Sequence, residues 1–343
     1  VAFFTTLLVF GTKIGARVDG AMTVLKIAIV FFVVIVGFFY VKASNFTPFI
    51  PPSQPASTVE GSSAVTGVMT QPLWQFATGM TPSVYGVPGI LSGAALVFFA
   101  FIGFDVVATA SEETKNPHKN VPLGIGVGML LIIVMYMLVA VVTTGMVSYA
   151  DLAKQDSPSL ATAFELVGAD WAAKIISFGI VLGLATVVMV LLLGLTRIVF
   201  AMSRDGLLPR GLSKTGKHGT PAALQIVVGA VVALVAAFFD IGVLSDMVNI
   251  GTLSAFTLVA ISIPIMRKKR PDLPRAFKMP GSPWIPILIA VANFWLMLNL
   301  SVLTWIRFVV WLVVGFAIYF GYGYWHARLG KGDLTETLSA ETD

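Results

Sequence analysis

Two ionisable side chains lie where the surrounding sequence is apolar enough for a lipid core. Lys26 sits in GAMTVLKIAIVFF, and Asp105 sits in FFAFIGFDVVATASEETKNP, two residues after Gly103. A charged group near the centre of a membrane helix costs about 2.5–3.5 kcal/mol on insertion scales. Gly103 weakens a helix at the same place by roughly 1 kcal/mol relative to Ala. One reading is a broken helix, whose freed backbone groups can hold a ligand at mid-membrane depth. The other is a continuous helix in which Gly103 is a packing contact and Asp105 faces a neighbouring helix. Gly is common in membrane helices, so residue types alone leave both open. Phe98, Phe99, Phe101 and Phe104 read equally as a gate or as lipid-facing bulk. Lys26 either snorkels to an interface or is a buried lysine able to load and release a proton. Tyr136, in LIIVMYMLVA, needs a hydrogen-bond partner if buried. Met189, in ATVVMVLLLG, reads first as packing.

The elements that position these residues are apolar runs. A partial run covers residues 1–10, and full runs follow at about 22–41, 89–110, 122–147, 174–202, 222–239, 243–266, 283–303 and 305–325. Each full run is long enough for about 30 Å of hydrocarbon, which predicts an all-α integral membrane protein with about nine transmembrane helices, the first cut short. Eighteen of the 22 Lys and Arg residues fall in one set of alternate loops, and only Lys42, Lys154, Lys174 and Arg307 fall in the other. The asymmetry places the C-terminus in the cytoplasm and residues 42–88 outside. That outside loop is rich in Pro, Ser and Thr and is predicted to lie on the outer face, anchored by Trp74 and Phe76. Asn116-Pro117 predicts a turn, with Asn120 and Pro122 at the cap and first turn of the next helix. SRDGLLPRGLS, at 203–213, predicts a helix stop. The tail 330–343 is polar.

Composition excludes several classes. The 343 residues are 57% hydrophobic and only 11% charged, against about 25% charged in soluble domains. A net charge of +5 is small for this length, and its distribution points to membrane orientation rather than to nucleic acid. The absence of cysteine excludes disulfides, thiolate catalysis and Cys-ligated metals. His118, His218 and His326 form no metal-spaced pair, and no phosphate loop or Ser/His/Asp constellation stands out. A membrane-embedded enzyme is the rival class, without a cluster to support it. The chain begins at Val1 inside an apolar run, and the sequence is expected to continue upstream.

FFAFIGFDVVATASEETKNPHKNVPLGI resembles the sixth helix and following loop of amino acid permeases of the amino acid–polyamine–organocation superfamily. GTKIGARVDGAMTVLKIAIVFFVVIVG resembles the fourth-to-fifth helix region, and TRIVFAMSRDGLLP the end of the eighth. The bacterial branch related to cationic amino acid transporters is the most similar. The resemblance implies a five-plus-five inverted repeat followed by two helices, with the first three helices missing from this chain. Residues 1–41 would then hold the remainder of the first repeat, 42–88 an extracellular loop, 89–266 the second repeat, and 267–329 helices eleven and twelve. It implies secondary active transport of an amino acid, with proton symport or exchange as the coupling mode, in the cell membrane. The lipid bilayer and the small-molecule substrate are the implied partners, with no cofactor besides the proton. The carbonyls of Phe99 and Ile102 would take the substrate ammonium, and the Phe99 ring would act as a gate. Gly103 would be the break, supported by Ala100, Phe101 and Asp105. Tyr136 would line the site, Met189 would limit the side-chain pocket, and Lys26 would be the proton-coupling group.

Overall fold

The computed structural model describes residues 4–6, 12–58, 67–104, 107, 114–155, 158–214, 221–272, 275, 279 and 281–327, with the side chains of 12–19 excepted. Eleven helices carry the description. They are α1 (Thr12–Phe38), α2 (Leu73–Thr78), α3 (Gly86–Val97), α4 (Pro117–Met146), α5 (Tyr149–Ala153), α6 (Leu160–Leu166), α7 (Asp170–Arg204), α8 (Ala222–Phe238), α9 (Ile241–Lys269), α10 (Trp284–Leu298) and α11 (Val302–Ile318). Helix is the expected outcome for such runs, because in hydrocarbon each backbone N–H and C=O must find its partner within the segment. Five of these regions are long and apolar enough to cross a membrane: within α1, and along α4, α7, α9 and the stretch from Val302 to His326. α3 with its extension, α8 and α10 are shorter apolar helices. Each of the eight full runs read from the sequence overlaps one of these helices, and the run 89–110 does so only as far as Val97, with part of it outside the described residues. The partial run at 1–10 lies almost wholly outside the described residues.

The ends obey local chemistry. Asp240 caps α9 by accepting from the Gly242 N–H at 2.7 Å, and Arg267, Lys268 and Lys269 occupy its last turn, where the helix dipole favours cations. α7 stops as expected. Gly206 takes φ +83, and the Leu207 N–H reaches back to the Met202 carbonyl at 2.9 Å, a glycine-dependent closure of the last turn. α4 begins earlier than the sequence suggested. Asn116 is its N-cap and Pro117 its first residue, since proline loses nothing at a position whose N–H has no helical acceptor. Asn120 therefore sits inside the helix, its side chain donating back to the Lys115 carbonyl at 2.6 Å. The run at 283–303 also divides sooner than expected. α10 ends at Leu298 with Asn299 as its C-cap, and the Ser301 hydroxyl caps α11 by accepting from the Thr304 N–H at 3.2 Å.

The described chain falls into two compact units. One comprises residues 1–27, 179–239 and 309–343, and the other residues 28–178 and 240–308. In the second unit α9 packs most extensively against α10. Its apolar core joins Ala95 of α3, Ile250 and Leu253 of α9, Met297 of α10 and Leu300. α1 meets α4 in the same unit across bare glycines. A Cβ on Gly37 would stand 2.5 Å from Val142 and 2.7 Å from Met146, and one on Gly145 would stand 2.8 Å from Val41. Small residues at such crossings let membrane helices approach closely. The loop 42–88 is held by this unit. β1 (Gln54–Pro55) pairs antiparallel with β2 (Ser83–Val84), and Asn45 donates to the Gly145 carbonyl at 2.8 Å. Trp74 anchors the loop as expected, donating to Asn299 Oδ1 at 3.0 Å beside Trp295. Phe76 does not, being 48% exposed.

Candidate functional site at the helix break

The run 89–110 is a broken helix. α3 tightens into a 3-10 turn over Phe98–Phe101, and Ile102 then leaves the helix with φ −66 and ψ 137. Gly103 follows at φ +118, a region that residues with a Cβ rarely adopt. Beyond its chain neighbours, no atom of the described residues lies within 4 Å of where a Cβ on Gly103 would stand. The backbone at Gly103 therefore departs from a continuous helix, as the first of the two readings expects of its geometry. The Ile102 N–H closes onto the Phe99 carbonyl at 3.2 Å, and the Val107 N–H onto Phe104 at 3.3 Å. Asp105, the expected helix-end carboxylate, lies outside the described residues.

Two aromatic residues on other helices fix the break. Tyr136 of α4 donates its hydroxyl to the Ala100 carbonyl at 2.7 Å, and its ring meets Phe101 edge-on at 5.1 Å. Tyr136 is 40% exposed, and its hydroxyl partner is the segment at the break itself. Ala100 and Phe101, the residues expected to support the break, are the two that Tyr136 touches. Phe256 of α9 touches the segment on both sides of Gly103, contacting Phe98 at 6.1 Å and Phe104 at 5.2 Å. Offset and edge-on ring pairs contribute about 0.5–1.5 kcal/mol each. Phe99 is left 44% exposed. Phe256 was not singled out from the sequence. Its only trace there is its position three residues after Leu253 and four before Ala260, on one stripe of α9, and any buried phenylalanine would give the same signal.

A cavity of about 780 Å³ lies along α3, on the N-terminal side of the break, a volume in the ordinary range for small-molecule sites. Gly86, Gly89 and Gly93 line it along α3. Their three- and four-residue spacing keeps one side of that helix free of side chains, which makes the room. Leu96 of α3 and Ala140 of α4 stand at the end nearest Tyr136, with Thr144 further along α4. The loop contributes Phe46 and Phe49, and α5 contributes Tyr149, whose ring packs on Tyr85 at 5.2 Å. Asp246 of α9 is the only charged residue among the described residues of the wall.

Lys26 and Met189 belong to the other unit. Lys26 is half-buried, and its stem lies along the bare face of Gly183 of α7. A Cβ there would stand 3.7 Å from Lys26 Cγ and Cδ. One turn on, Thr186 returns its hydroxyl to the Gly183 carbonyl at 2.8 Å. Met189 is 3% exposed, packed with Leu192 against Phe4, Val228 and Val232. Among the described residues no group of three His, Asp or Glu side chains could hold a metal ion.

Five helices long and apolar enough to cross a membrane, with shorter apolar ones beside them in sequence, point to a multi-pass membrane protein. An amino acid permease family model matches residues 1–323, and the chain belongs to that family within the amino acid–polyamine–organocation superfamily. It is 41% identical over 332 residues to the branched-chain amino acid permease BcaP of Bacillus subtilis (strain 168), covering 96% of this chain and 64% of the relative. It is 38% identical, over the same length and shares, to the methylthioribose transporter of that organism. To the vacuolar cationic amino acid transporter 4 of Arabidopsis thaliana it is 35% identical over 273 residues, 79% of this chain and 41% of the relative. The chain spans just under two thirds of the length of the two bacterial relatives.

Proposed function

We propose that the protein carries amino acids across the cell membrane by secondary active transport, in symport with protons. The observation that carries this reading is the interruption at Ile102–Gly103 inside an apolar run of a chain that belongs to the amino acid permease family. Interrupted helices at a site hold ligands through backbone groups rather than through side chains. The Phe99 and Ile102 carbonyls are the acceptors for the substrate ammonium, and Ala100 is withdrawn from that role by Tyr136. A neutral branched side chain is the favoured cargo, because a relative named a branched-chain amino acid permease is 41% identical. The Lys and Arg asymmetry supports a cytoplasmic C-terminus. Lys26 is the coupling group. It is a half-buried charge within a membrane-length helix, its stem laid along the bare face of Gly183, and intramembrane ionisable residues of this kind mark proton relays in transporters.

The test is uptake of labelled leucine by the full-length protein in proteoliposomes under an inward proton gradient. Accumulation above equilibrium that collapses with the gradient is expected, and Lys26→Ala should abolish accumulation while leaving counterflow. Accumulation in the variant equal to wild type would overturn the coupling role. Exchange without gradient-driven accumulation would replace symport by antiport, and neither activity for any amino acid would overturn the transport reading.

A further inference from the structure

We infer that the cavity beside α3 is a separate holding site for an organic cation, with the Asp246 carboxylate as its anchor. The inference rests on the transport reading, and it concerns a ligand position distinct from the carbonyls of the break. Three observations carry it. The cavity is walled mostly by apolar groups, with Ile90, Leu96 and Val141 among them, and the described wall contains no lysine or arginine. Such a wall suits a ligand with a hydrocarbon body and one positive end.

Asp246 is held in place rather than left to swing. Thr304 of α11 donates its hydroxyl to Asp246 Oδ2 at 3.1 Å, and Thr304 is itself buried and tied to the Ser301 hydroxyl at 2.7 Å. Oδ1 then remains to meet a donor in the cavity. No lysine or arginine pairs with Asp246 within 4 Å among the described residues. A charge-assisted bond to an ammonium remains available.

Asn249 supplies the third observation. It lies three residues beyond Asp246, on the same side of α9, and it is fully buried. Neither its Nδ2 nor its Oδ1 meets a partner in the structure. A buried amide without partners is rare and calls for an explanation such as a water or a ligand group. Phe256 stands seven residues further along the same helix, at the break. Asp246, Asn249 and Phe256 thus mark successive levels of α9, from the cavity wall to the interrupted helix. An ammonium held at Asp246 has a polar step below it before the carbonyls of Phe99 and Ile102.

The experiment uses the full-length protein in nanodiscs and the probe 3-methylbutylammonium, which has a branched body and a cation but no carboxylate. Calorimetric titration should show saturable binding. Asp246→Asn keeps the acceptor for Thr304 and should weaken binding at least tenfold, while Asp246→Glu should restore most of it. The neutral isostere 3-methylbutan-1-ol should bind wild type and Asp246→Asn alike, which separates the charge from the fit of the body. Equal binding of the ammonium to wild type and Asp246→Asn would overturn the inference, as would no saturable binding to wild type, the result expected if other parts of the full-length protein fill the cavity. Leucine uptake separates the two readings. Asp246→Asn should raise the KM for leucine with the maximal rate retained. Asp246-dependent ammonium binding in a protein that transports no amino acid would leave the site standing and remove the transport reading.

Discussion

The hydroxyl of Tyr136 stands 2.7 Å from the Ala100 carbonyl, one residue on from Phe99 and two before Ile102. A tyrosine on one helix thereby takes up one of the carbonyls that the interruption of another has released. It fixes the direction of that carbonyl, while the Phe99 carbonyl beside it accepts the Ile102 N–H. Tyr136→Phe removes that bond and keeps the ring contact with Phe101. The loss of one neutral hydrogen bond costs about 1 kcal/mol of stability, so thermal unfolding should shift by only a few degrees. Leucine uptake should fall several-fold, through a higher KM. Unchanged uptake kinetics would remove Tyr136 from the site.

Gly103 makes a sharper prediction because its backbone lies where residues with a Cβ rarely sit. A methyl group there meets no atom of the described residues within 4 Å beyond its chain neighbours, so the cost of Gly103→Ala is argued from the backbone at φ +118. Such conformations cost of order 1–3 kcal/mol for residues with a Cβ. The chain should relieve that strain by drawing the break back toward helix, and uptake should fall at least tenfold. Gly128→Ala, in α4 and equally unencumbered, should leave uptake intact, since alanine favours a helix over glycine by roughly 1 kcal/mol. Full activity in Gly103→Ala would show that the open backbone is not needed.

The contrast between those glycines also shows how far the sequence could be read. Apolar runs reported the helices, because hydrocarbon admits few alternatives to a helix and length then follows from thickness. Caps were less legible. Asn120 and Pro122 carry the residue types of a helix start, yet the helix begins at Pro117, because the missing N–H of that proline has no partner to lose. Gly103 and Gly128 look alike in sequence, both in apolar runs. Only φ distinguishes a break from a smooth helix, and φ is set by the tertiary anchors Tyr136 and Phe256. The cavity was invisible for the same reason. Asp246 was one acidic residue near a helix start, and its relation to Thr304 spans 58 residues.

The short helix α5 offers a pH prediction outside the membrane segments. Asp151 accepts from the Ser148 hydroxyl at 2.7 Å and lies 3.4 Å from Lys154 Nζ. The serine first, then the lysine, hold its carboxyl below the ordinary value of 3.8. A depressed value in the folded state means the carboxylate stabilises the turn above about pH 4 and that this is lost as pH falls through the folded value. The group is fully exposed, so the effect is local. Amide exchange at Asp151 and Leu152 should quicken relative to α4 as the pH is lowered from 5 toward 3. In Asp151→Asn that extra acceleration should be absent. Identical pH profiles in the two proteins would dismiss the linkage.

Phe256 tests whether the break needs support from both sides. Its ring contacts Phe98 before Gly103 and Phe104 after it. Phe256→Ala removes both contacts, at about 1–3 kcal/mol for two ring pairs, and leaves space beside a segment that already lacks helical hydrogen bonds. Global stability should fall by that amount in a denaturant or thermal scan, because the buried core of Ile250, Leu253 and Met297 is untouched. Transport should fall much further than stability, since the two flanks of the break would then be free to move independently. Phe256→Tyr retains the ring and should recover most of the uptake, whereas Phe256→Leu restores part of the volume without the ring geometry and should recover stability better than transport. If Leu restored transport as fully as Tyr, the residue would be acting through bulk alone.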